Sequence, residues 1–111
     1  NITILGLNRL QTLLNDRFIQ SIECPGPGKP VLVQKGGAMQ ATGIMLSEEE
    51  INSAMKEISE RTKIPLVQGV FRAAVGNIIV IAVVSDFVGT RFIIQKNIHR
   101  PQFTNPPFPQ R

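Results

Sequence analysis

Apolar residues recur along this chain with two different periods. Over residues 3–19, Leu7, Leu10, Leu14 and Phe18 return every three or four positions, with Asn8, Gln11, Asn15 and Asp16 falling largely between them. That spacing paints one apolar stripe on a helix and predicts an amphipathic helix beginning near Asn8. A second helix is predicted from Ser47, an N-cap residue with Glu50 three positions on, which is the pattern of a capping box. Glu48, Glu49 and Glu50 suit the positive end of its dipole. Ile51, Ala54, Met55 and Ile58 supply the buried stripe, and Glu57 and Arg61 have the i,i+4 order of a favourable pair. Lys63-Ile64 before Pro65 ends the helix.

Elsewhere the period shortens to that of strands. Ser21–Cys24, Val31–Gln34 and Ala38–Met45 precede the second helix, with a bulge or weak point expected at Gly43. The run Pro25-Gly26-Pro27-Gly28-Lys29-Pro30 between the first two must be a loop, because its prolines lack ladder donors and its glycines admit positive φ. After Pro65 come Leu66–Ala74, a turn at Gly76-Asn77, then Ile78–Ser85, an unbroken β-branched run expected to be buried on both faces. Asp86–Thr90 turns the chain into Arg91–Gln95. The order predicts an α+β fold: a small single domain with a mostly antiparallel, curved sheet of about six strands and two flanking helices. Residues 1–96 form that domain. Residues 97–111, with Pro101, Pro106, Pro107 and Pro109, read as a proline-rich linker or arm.

Composition narrows the function classes. A chain of 111 residues with 42% hydrophobic residues fits one domain with a core. The apolar stretch Ala73–Ser85 is broken by Gly76-Asn77 and falls short of the ~20 residues of a membrane span. The net charge is +4, but the basic residues are scattered and there is no Trp or Tyr to stack bases, so no specific nucleic-acid partner is expected. A single cysteine, Cys24, and a single histidine, His99, leave no disulfide framework and no metal site to expect. The start at Asn1 and the proline-rich end suggest a piece of something longer, and nothing at the start resembles a secretory leader.

No catalytic constellation emerges. Gly26-Pro27-Gly28-Lys29 has the wrong spacing for a P-loop, and its prolines remove N–H groups a phosphate cradle needs. Glu48–Glu50 is explained by capping, and Cys24 by burial in a strand. Arg72, Arg91 and Lys96 are the candidate site residues: they lie on or beside neighbouring strands and could converge on a phosphate.

Three segments together resemble the N-terminal domain of the type II/type IV secretion and pilus- or archaellum-assembly ATPases, particularly the archaeal branch. They are SIECPGPGKPVLVQK, TGIMLSEEEINSAMKEISERTKIPL and VGNIIVIAVVSDFVGTRFIIQKN, and the similarity covers residues 20–105. The resemblance implies a small α+β domain ahead of a RecA-like motor domain of the same chain. It implies homo-hexamers, ATP and Mg bound in the full-length protein rather than in this fragment, and domain motion coupled to an inner-membrane platform protein. It also implies a cytoplasmic location peripheral to the cytoplasmic membrane. Two arginines that usually approach nucleotide in that family are replaced here by Ile78 and Gln95, leaving Lys96 beside the second. Without a P-loop this chain alone is not expected to hydrolyse ATP. The rival reading is a stand-alone protein- or peptide-binding adaptor.

Overall fold

The two apolar periods become one sheet and two helical segments. The structure, a computed structural model, describes residues 5–96. A 3-10 segment, Leu5–Leu10, runs into a short helix α1 (Gln11–Asn15). Strands β1 (Ile19–Cys24), β2 (Pro30–Lys35) and β3 (Ala38–Met45) follow, then helix α2 (Glu48–Thr62), then β4 (Gly69–Val75), β5 (Ile78–Val84) and β6 (Arg91–Lys96). All strand pairs are antiparallel, in the order β3-β2-β1-β6-β5-β4. The expected class, six strands with two helical segments, is what forms, as an open sheet.

The sheet is two three-stranded meanders joined where β1 pairs with β6. That arrangement leaves the end of β3 at one edge and the start of β4 at the other. Helix α2 spans the gap. Its 15 residues measure about 22 Å at ~1.5 Å per residue, and five inter-strand gaps of ~4.8 Å come to about 24 Å. The helix is therefore about as long as the sheet is wide, and Ile51, Ala54, Met55 and Ile58 lie buried along it. They pack with Leu7, Leu10 and Leu46 against the inner face of the sheet, where Ile22, Val31, Phe71, Val80 and Ile94 are prominent, in one continuous core.

Local chemistry fixes α2 at both ends. Ser47 Oγ accepts from Glu50 N (3.1 Å) while Glu50 Oε1 accepts from Ser47 N (2.9 Å), the capping box the sequence predicts. Lys63 ends the helix in a left-handed conformation at φ 62, before Pro65 prevents its continuation. Ser47→Ala removes the acceptor for the Glu50 N–H. It is expected to lower stability by about 1 kcal/mol, read as a shift of the urea midpoint with an unchanged slope. An unchanged midpoint would show that water replaces the cap at no cost.

Three expectations need correction. The first helix stops at Asn15, and Phe18 is 66% exposed rather than on an apolar helix face. Asp16 adopts extended backbone and its Oδ1 accepts from Phe18 N (2.9 Å), a side-chain turn that competes with continued helix. Strand β4 begins at Gly69, leaving Leu66 and Val67 exposed before it. Strand β5 is buried on one face only: Ile78, Val80 and Ala82 face the core, whereas Ile79 and Ile81 are half-buried on the other side. The irregularity expected at Gly43 is present. Pro30 faces Met45 but Leu32 faces Ala41, so Thr42–Ile44 bulge against Val31, and Thr42 Oγ1 donates to Val31 O (2.7 Å) while accepting from Ile44 N (3.2 Å). The proline-rich arm 97–111 and His99 lie outside the described residues. Among the described residues no helix is long and apolar enough to cross a membrane.

Candidate functional site

Alternation along the strands sorts the three candidate cations. In β4, Phe71, Ala73 and Val75 are buried, so Arg72 stands on the outer face, opposite Ile81. In β6, Phe92 and Ile94 are buried, so Arg91 shares that face, and its neighbour on β5 is Val83. One strand and a two-residue offset separate the arginines, which puts their Cα atoms about 12 Å apart on ideal sheet spacings. Both are exposed, and neither forms an ion pair or side-chain hydrogen bond with another described residue.

Lys96 does not join them. It follows Ile94 onto the inner side, where Nζ donates to Leu13 O (2.9 Å) and to Asp16 O. It thereby satisfies carbonyls at the C-terminal end of α1. Burial pushes its pKa down, with Asp16 partly opposing the shift. The structure thus brings Arg72 and Arg91 to one face and commits Lys96 to holding α1 against β6.

Around Arg91 the outer face forms a cleft of about 160 Å³ lined by Glu23, Pro25, Ile81, Val83, Arg91 and Ile93 among others. Glu23 stands opposite Ile93 across the β1–β6 pair. It is half-buried, and like Arg91 it has no ion-pair partner among the described residues. The floor is aliphatic and the two rims carry opposite charges, so the cleft suits an apolar group flanked by polar atoms. Glu23 was not singled out from the sequence. Its place depends on the register of β1 against β6, two strands about seventy residues apart, and no local pattern encodes that pairing.

The loop Pro25–Pro30 behaves as a rigid turn. Gly28 N donates to Leu46 O (2.9 Å) and Lys29 N to Gly26 O (3.4 Å). The N–H groups after Pro27 are therefore consumed within the chain and cannot cradle a phosphate. Cys24 is fully buried, and burial pushes its thiol pKa up while Sγ lies 3.7 Å from Gly26 O, which keeps it protonated and unreactive.

Two carboxylates outside the cleft carry a pH signature. The Phe18 N–H on Asp16, with Lys35 beside it, holds that carboxyl below its ordinary value. The Ser47 N–H and then Arg9 do the same for Glu50. Depressed folded values mean that the unfolded chain binds more protons on the acid side. Their contribution is complete above about pH 5 and is lost as the pH falls through the folded values. Asp16→Asn is expected to flatten the stability profile between about pH 5 and pH 2. A profile superimposable on that of the unaltered chain would show that the pairing is not felt.

No protein-family model matches the chain, and no curated protein matches it in sequence. Solved structures do match. One is the VirB11 ATPase of the Brucella suis type IV secretion system, crystallised in complex with sulphate, with a TM-score of 0.73 at 18% identity. The fold is one found in a secretion ATPase. The likeness covers 91% of this chain but only 32% of that one, so the chain spans about a third of the neighbour's length, and at this identity it is the fold that is shared.

Proposed function

We propose that this chain is the N-terminal regulatory and oligomerisation domain of a secretion or pilus-assembly ATPase. The observation that supports the reading is the fold agreement of 91% of this chain with about a third of the VirB11 ATPase. On this reading a RecA-like motor domain of the same protein supplies the P-loop, ATP and Mg chemistry that this chain lacks. The domain works in the cytoplasm against the membrane, passing motor motion to a membrane platform. Arg72 and Arg91, on one face and without an ion-pair partner among the described residues, are the side chains through which it would meet nucleotide phosphate or an acidic surface.

The gene sequence beyond Arg111 tests the assignment. A GxxxxGK[S/T] motif within about 60–100 residues supports it by the P-loop criterion, and a stop codon directly after Arg111 overturns it. Titration of the full-length protein with an ATP analogue then tests the arginines. Arg91→Ala is expected to weaken binding roughly tenfold, the order of one charge-assisted hydrogen bond, and equal affinities would leave Arg91 as a surface strand residue. The cleft beside Arg91 favours the second reading, a peptide-binding module. Capture of a partner by the isolated chain, with no effect of Arg91→Ala on nucleotide, would select it.

A further inference from the structure

Strand register places six side chains in one block on the outer face. Val70, Val83 and Arg91 form one row across β4, β5 and β6, and Arg72, Ile81 and Ile93 form the next. All six point away from the core, because Phe71, Ala82 and Phe92 between them are buried. The two arginines stand at diagonal corners, and the other four positions are aliphatic. No carboxylate stands within the block. Glu23 lies beyond Ile93 on β1, and Asp86, in the turn after β5, accepts a hydrogen bond from Gln68 Nε2 (3.3 Å).

The aliphatic positions are open. Val70 is 76% exposed and Val83 37%, and the cleft of about 160 Å³ lies over Ile81, Val83, Arg91 and Ile93. Helix α2 and the 3-10 segment pack on the opposite face of the sheet, and no described element covers this one. The exposed face of an antiparallel sheet is ordinarily polar. Here it sets an apolar surface between two cations that lack ion-pair partners among the described residues, and an apolar patch with a polar rim marks a contact.

We propose that this block is the seat of an acidic, aliphatic helix of a partner polypeptide. Charge complementarity sets the sign: two arginines with no acid between them match two carboxylates. The spacing sets the pattern. The arginine Cα atoms are about 12 Å apart on ideal sheet spacings. Acidic residues at i and i+7 of a helix lie about 10.5 Å apart along its axis, and the arginine side chains take up the difference. Aliphatic residues at i+3 and i+4 share that helix face, so they fall between the carboxylates, over Ile81 and Val83 and into the cleft. A helix is the form that fits, since a chain lying on a sheet face finds no ladder partners and must satisfy its own N–H and C=O groups. Neither described helix of a second copy can supply it. The apolar residues of α2, Ile51, Ala54, Met55 and Ile58, are all buried in its own core, and α1 has five residues. A phosphate alone would leave the aliphatic positions bare. The proposal rests on the acidic-surface reading of Arg72 and Arg91 and names the chemistry of that surface.

The probe is a labelled helical peptide with Glu at i and i+7 and Leu at i+3 and i+4 in an alanine–glutamine host. Titrated with the 111-residue chain, its fluorescence anisotropy is expected to rise to saturation, and replacing its leucines by alanine should abolish the rise. Arg72→Glu and Arg91→Glu are each expected to weaken binding roughly tenfold or more, the order of one charge-assisted hydrogen bond. Both arginines are exposed, so the urea midpoint should not move. A peptide with Lys in place of both Glu residues should ignore the unaltered chain and bind the chain that carries both arginine substitutions, a rescue that a merely disturbed surface would not give. No binding up to millimolar concentration overturns the proposal, as does binding indifferent to the arginines or equal for the Lys peptide. So does a chain that binds tripolyphosphate through Arg72 and Arg91 but not the peptide, which would assign the arginines to nucleotide. The gene sequence beyond Arg111 judges the secretion reading separately, so either can fail without the other.

Discussion

Gly89→Ala is expected to destabilise the domain by about 2–5 kcal/mol, although it adds a single methyl group in a turn. Gly89 sits at φ +88, and a Cβ placed there would lie 2.8 Å from Pro27 Cδ and 2.9 Å from Cγ. Two costs combine. The positive φ costs an L-residue about 1–2 kcal/mol, and forcing a methyl into a closed contact costs about 1–3 kcal/mol more. The neighbour cannot give way easily: Pro27 is a ring held in a loop that is tied by Gly28 N to Leu46 O and by Lys29 N to Gly26 O. The two costs can be separated. In Pro27→Ala the ring is gone, so adding Gly89→Ala to it should cost only the backbone share, about 1–2 kcal/mol. Urea midpoints for the four proteins give the comparison. Equal losses from Gly89→Ala with and without Pro27 would show that the close approach is relieved and only φ matters.

That contact also marks the limit of what could be read from the chain. The segment Pro25–Pro30 is legible as a loop and Asp86–Thr90 as a turn, because proline and glycine announce both. That one packs on the other is not legible, since it depends on β1 and β6 lying side by side. Helix α2 is the opposite case. Its cap, its stripe and its stop are all local, and Ser47, Ile51, Ala54, Met55, Ile58 and Lys63 each stand where the spacing places them. The first helix fell between these cases. Leu7, Leu10 and Leu14 carry a true helical period, but the Asp16 side chain binds the Phe18 N–H and ends the helix before Phe18 can join the stripe. In the candidate site, strand alternation suffices to put Arg72 and Arg91 on a common face. The place of Lys96 is a tertiary fact: its ammonium is drawn to the carbonyls of Leu13 and Asp16, 83 and 80 positions away.

Among the described residues the β1–β6 pair is the only strand contact between the two meanders, and Ile22 and Ile94 face each other across it, both fully buried. Ile22→Ala is expected to cost about 2–5 kcal/mol, the transfer of the lost methylenes plus the cavity they leave. Against a total of ~5–15 kcal/mol for a domain of ordinary stability, that is a large fraction. The way the loss appears matters as much as its size. Beneath the seam, α2 and the 3-10 segment bury one core shared by both meanders, with Val31 and Val33 from one and Phe71 and Val80 from the other in the same cluster. Weakening the seam should therefore shift a single unfolding transition to lower urea with its slope unchanged, rather than release one meander ahead of the other. Because Ile22 and Ile94 touch the same space, Ile22→Ala combined with Ile94→Ala should cost less than the two single losses added, by about 0.5–3 kcal/mol. Two resolved transitions in Ile22→Ala, or strict additivity in the pair, would mean that the halves are held by α2 alone and that the seam transmits nothing between them. A single shifted transition would make the domain a rigid body across the seam. The function proposed above, passing motion from a motor domain to a partner, requires that the two meanders move together.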